Sequence, residues 1–140
     1  MKLEEQVCSL ELAKRLKELG IIQLSLFYWH WNTGIGKYEL LDECNFGDYF
    51  SAFTAAELFD ILPASIDTKK NVPFNNYWLR IDKRRYKDIQ YIINYVCDTK
   101  LAQDFSSFPA MKNIHDESFA NALAMTIIYL IENSLMGTAE

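Results

Sequence analysis

The sequence predicts an α+β fold: an antiparallel sheet with an N-terminal helix, a short middle helix and a long C-terminal helix packed on the sheet. Three observations predict it. Residues 116–136, DESFANALAMTIIYLIENSLM, gather Phe119, Ala120, Leu123, Ala124, Ile127, Ile128, Leu130, Ile131 and Leu135 on one half of a helical wheel. Two stretches of the second half, 77–81 and 86–97, carry the β-branched and aromatic residues that strands favour, in two-residue alternation. The 140 residues suit one domain, 1–140, with no repeat or break in composition. A chain this long buries about two-thirds of its unfolded surface and needs neither disulfide nor metal to fold.

Taken in order, Ser9 caps a helix over 10–19, with Leu12, Ala13, Leu16 and Leu19 on one stripe and Gly20 ending it. Residues 3–8 add an irregular turn. LSLFYWHW (24–31) predicts a strand, with Leu24, Leu26, Tyr28 and His30 on one side and Phe27, Trp29 and Trp31 on the other. The NTGIG turn (32–36) returns the chain as a second strand over 37–41, making a hairpin. A loop over 42–50 leads to Thr54-Ala-Ala-Glu57, a capping box in which hydroxyl and carboxylate each satisfy a backbone N–H. The short helix that follows stops at Pro63.

Residues 63–76 read as an exposed connection. Strand 77–81, a polar turn over 82–85 and strand 86–97 come next, with Ile89, Tyr91, Ile93 and Tyr95 on one face; 101–108 is a weaker third segment. Asp116 is the expected N-cap of the closing helix and Gly137 its left-handed stop. Asn121, Thr126, Glu132 and Asn133, with Met125 and Tyr129, form its outward side.

The formal charge, 14 − 19 = −5, opposes general nucleic-acid binding, which requires cations to displace counterions from phosphates. The charged start MKLEEQ has no apolar core of a signal peptide. With the odd set Cys8, Cys44 and Cys97, it predicts reduced thiols in a cytoplasm. No membrane span is expected: Asn121 and Glu132 bracket only ten residues, where about 20 are needed.

No catalytic motif emerges. His30, His115 and the cysteines lack metal-ligand spacing, so no metal or cofactor is expected. Cys44 sits in an acidic loop that raises a thiol pKa, and Cys8 and Cys97 read as structural. Asp42, Glu43 and Asp48 match no calcium loop and read as a solvated acidic stretch.

Two surfaces stand out. Arg80, Lys83, Arg84, Arg85 and Lys87 put five cations within eight residues at an expected hairpin tip, flanked by Tyr77, Trp78 and Tyr86. They are candidates for contact with an anion or single-stranded nucleic acid, and a solvated turn is the plainer reading. Trp29, Trp31, Trp78, Met125 and Tyr129 are candidates for binding a protein partner or a second copy, since so small a domain has little room for so many large rings.

VCSLELAKRLKELG with LFYW (7–20 and 26–29), ANALAMTIIYLIEN (120–133) and the spacing of FGDYFSAFTAAEL together resemble a family of small uncharacterised proteins encoded in bacterial genomes, prophages and phages. The resemblance covers both ends of the chain and leaves out the middle, about 63–112. It implies a bacterial or mobile-element origin and a cytosolic setting, with no activity or ligand attached. A looser likeness, of fold only, is to HicB-type antitoxins, which run through a β-meander into an alanine-rich helix; the glycine-rich strand signature of that group is missing here.

The functional expectation is a non-catalytic protein-interaction or accessory factor. A nucleic-acid-associated regulator using the 80–87 hairpin is the first alternative. A small hydrolase or metal enzyme using Asp42, Glu43 or the histidines is the second.

Overall fold

Short side chains that mimic backbone acceptors start each helix. The computed structural model describes residues 1–43, 47–67, 76–85, 87–97 and 113–136. After a 3₁₀ turn at Leu3–Glu5, Ser9 accepts from the Leu12 N–H and opens α1, Leu10–Glu18. Gly20 then takes a φ of 87°, which only glycine adopts without strain. Thr54 accepts from the Glu57 N–H while the Glu57 carboxylate accepts from the Thr54 N–H, closing the expected box at α2, Ala55–Ile61. Ser118 caps α3, Phe119–Glu132.

The strands divide into two antiparallel sheets. The first has the order β2-β1-β3, from β1 Tyr28–Asn32, β2 Lys37–Leu41 and β3 Tyr49–Ser51. The second has the order β4-β5-β6-β7, from β4 Ser65–Asp67, β5 Asn76–Arg85, β6 Ile89–Cys97 and β7 Ile114–Asp116. Three helices and two antiparallel sheets make the fold α+β, as the sequence predicts.

Several boundaries differ from expectation. Residues 24–27 are not a strand. Gln23 and Ser25 turn inward, where Gln23 Oε1 accepts from the Ser51 N–H and Ser25 donates to the Ala52 carbonyl and Glu57, so side chains replace the ladder. Leu24 and Leu26 consequently point outward, 76% and 65% exposed. The connection 63–76 contains β4, whose Ile66 is buried opposite Tyr77. The expected turn at 82–85 is strand, because β5 stays in register with β6 through Arg85↔Ile89. Asp116 ends β7 and accepts from the Ser118 N–H, leaving Ser118 to cap. Cys44, Tyr86, Gly137 and the segment 101–108 lie outside the described residues.

α3 is the centre of the core. It packs on β6 and β7 and also against α1 and α2. Burial therefore extends beyond one stripe: Ala120, Ala122, Leu123, Ala124, Thr126, Ile127, Ile128 and Leu130 are all buried. Thr126, expected on the outward side, is fully buried. Its hydroxyl donates 2.8 Å to the Ala122 carbonyl, which removes the cost of hiding it. Beneath the helix, Ile66, Tyr77, Ile93, Tyr95 and Ile114 form the inner face of the second sheet. The Tyr95 hydroxyl donates 2.7 Å to the Pro63 carbonyl, and burial raises its pKa.

Candidate functional site

The β5–β6 hairpin is the longest paired unit and carries most of the cations singled out from the sequence. Strand geometry sends alternate side chains to opposite faces. Tyr77, Leu79, Ile81, Lys83 and Arg85 share the α3 side with Ile89, Tyr91, Ile93 and Tyr95. Trp78, Arg80, Asp82 and Arg84 share the outer side with Gln90, Ile92, Asn94 and Val96. Continuing strand therefore splits what the sequence presents as one basic turn. Tyr77 goes wholly into the core, whereas Trp78 is 48% exposed.

On the outer side Arg80 Nε lies 3.0 Å from Asp82 Oδ2, and Arg84 is exposed. β7 adds exposed His115 opposite Ile92, and Asn94 Nδ2 donates 2.7 Å to Asn113 Oδ1 beyond the strand. No helix among the described residues covers this face. Outward positions alternating from 78 to 84 and from 90 to 96 were readable in the sequence, except that a turn placed at 82–85 conceals Asp82 and Arg84.

On the α3 side Lys83 places its ammonium 5.4 Å from the Tyr91 ring centroid, a cation–π contact. Tyr91 stacks on Phe119 with centroids 4.8 Å apart and planes at 21°. This pair belongs to the wall of a groove of about 800 Å³ between the chain start, the openings of α2 and α3, and β6. Glu4, Glu5 and Glu117 line it as well. Nothing in the periodicity of the sequence signals the groove, because its walls come from four separate segments.

The other candidates scatter. Trp29 is half-buried, with its indole N–H donating 3.1 Å to the Cys8 carbonyl. Trp31 is 41% exposed and meets Tyr38 edge-on at 5.2 Å. Lys14 and Lys17 lie over the neighbouring Tyr38, Tyr49 and Phe50 rings at 4.9–5.7 Å, tying α1 to the first sheet. Met125 and Tyr129 are half-buried and packed on the core. Lys87 is exposed.

Cys8 is fully buried, and desolvation pushes its thiol up to about 12, the opposite of an activated thiolate. Asp42, Glu43 and Asp48 are exposed, His30 is half-buried on the first sheet and His115 is on the second. Among the described residues, no three His, Cys, Asp or Glu side chains come together as metal ligands. Nor, among them, is any helix long and apolar enough to cross a membrane.

The fold is thus α+β, and among the described residues no helix covers the outer face of the second sheet. Comparison with protein-family models, with curated proteins and with solved structures finds no match.

Proposed function

We propose that this protein is a non-catalytic interaction module that recognises a protein partner through the outer face of its second sheet. One observation carries the reading: Trp78 stands 48% exposed on a strand paired on both sides, with Arg80 next to it on the same face and, among the described residues, no helix over it. Trp and Arg are the residue types that dominate binding energy at protein interfaces, most strongly when central and surrounded by polar neighbours. Arg80 and Asn94, the next outward residues on β5 and β6, and Ser65 across the β4 seam supply such neighbours. The resemblance of both chain ends to small bacterial and phage proteins supports a cytoplasmic accessory role in such a setting.

A nucleic-acid-associated regulator is the second reading, favoured by Trp78, Arg80 and Arg84 sharing one face, as on single-strand stacking platforms. The net charge of −5 and the Asp82 carboxylate on Arg80 weigh against it.

The test is affinity capture at low and moderate salt, comparing the native protein with Trp78→Ala and Arg84→Glu. A stoichiometric protein that survives moderate salt and is lost in both variants supports the first reading. Retention of that protein by both variants overturns it. Nucleic acid that falls steeply with salt selects the second reading.

A further inference from the structure

β5 is far longer than its neighbour on one side. β4 pairs only with Asn76, Tyr77 and Trp78, and the last bond across that seam runs from the Leu79 N–H to the Ala64 carbonyl. β6 pairs with the whole of β5 on the other side. In an antiparallel ladder successive residues direct their N–H and C=O groups to alternate sides. Since Leu79 faces the β4 seam, Ile81, Lys83 and Arg85 face it too. Past Ala64, no strand among the described residues pairs with them. An unpaired run of backbone donors and acceptors is a template for another strand.

Side chains along this edge determine what kind of strand fits. Lys83, Arg84 and Arg85 are exposed, and Lys87 follows in the turn. Two copies pairing edge to edge about Arg84 would set Arg84 opposite Arg84 and Lys83 opposite Arg85, like against like, which is destabilising. An acidic strand meets the opposite situation.

We propose that the β5 edge, unpaired past Ala64 among the described residues, accepts an extended acidic peptide segment of a partner protein, which pairs through the backbone of Ile81, Lys83 and Arg85 and is selected by Lys83, Arg84 and Arg85. Peptides are bound this way wherever a strand is added to an exposed sheet edge, with main-chain bonds giving affinity and side chains giving specificity. The inference rests on the interaction reading but uses the edge of the sheet instead of its face, so the two can fail separately.

The experiment is titration of the intact protein with a labelled peptide alternating Glu and Val. Two N-methylated versions, one blocked at odd and one at even residues, are titrated alongside a Lys–Val counterpart. Methylation removes the peptide donor and puts a methyl in its place, and in a paired strand only one alternate set of amides points at the edge. Expected are binding of the acidic peptide, a loss of about tenfold or more in one methylated version and little change in the other, and no binding of the basic peptide. Arg84→Glu/Arg85→Glu weakens the acidic peptide, whereas Trp78→Ala leaves it bound. Equal affinity of both methylated versions and the parent overturns the proposal, as does equal binding of the basic peptide or no binding of the acidic one. Displacement by a single-stranded oligonucleotide without any methylation effect also overturns it and points to nucleic acid. If the acidic peptide binds as expected while Trp78→Ala keeps every captured partner, the edge stands and the face does not.

Discussion

The α1-facing side of the first sheet and the outer face of the second use aromatic residues and cations in opposite ways. In the first, Trp29 is fastened to the Cys8 carbonyl, and Tyr38, Tyr49 and Phe50 lie under Lys14 and Lys17 of α1. There the cations hold a helix to a sheet. In the second, Trp78 and Arg84 face outward on a hairpin whose other side carries the core. The same residue types are structural where an element covers them and exposed where none among the described residues does. The difference comes from what packs above the strand.

Substitutions can test that contrast. The largest effect is expected in the core around α3: Leu123→Ala should cost about 2–5 kcal/mol through lost burial and a cavity. Urea unfolding followed by separate signals from the two sheets should show one shared transition; two separated ones would mean that the first sheet stands without α3. Next is Trp29→Ala, expected to cost roughly 2–3 kcal/mol for a half-buried ring and its hydrogen bond. Trp78→Ala should cost less than about 1 kcal/mol, as surface changes do. Equal losses at the two tryptophans would erase the contrast. Thr54→Ala should remove about 1 kcal/mol by opening the capping box, read by the same denaturation midpoint.

A pH dependence is silent at neutral pH and emerges only in alkali. The folded thiol of Cys8 titrates near 12 against an ordinary 9.0, so the unfolded chain loses its proton first. Its preference for the folded state is whole below pH 9 and declines as pH rises from 9 toward 12. Cys8→Ala should flatten that part of the stability profile. Native Cys8 should also resist thiol reagents at neutral pH until the protein unfolds.

Legibility in the sequence followed locality. Ser9 and the Thr54–Glu57 box act over three residues, and both were readable because their partners lie within the same short window. The hairpin at 32–36 was readable for the same reason. β3, β4 and β7 have three residues each, too few to show a period. β7 also altered a cap, since Asp116 in the sheet left Ser118 to start α3. Thr126 was misplaced because a hydroxyl bonded to its own helix behaves as an apolar group. Of the candidate surface, Trp78 and the cations were readable as residue types. Their division between two faces depended on one turn, and the length of β5 left without a partner among the described residues depends on how short β4 is.

The ties between α1 and α3 bear on how the chain is made. The Ser9 N–H donates 2.8 Å to Asn121 Oδ1 across 112 positions, and Arg15 reaches Glu132 at 2.7 Å across 117. A ribosome adding roughly 5–20 residues per second needs about 5–20 s to cover that distance. During that interval α1 exists without the helix against which it closes, and Leu16 has no finished core to enter. Vectorial synthesis therefore leaves the early segments waiting on the late one, so chaperones have their longest access to the nascent chain before α3 emerges.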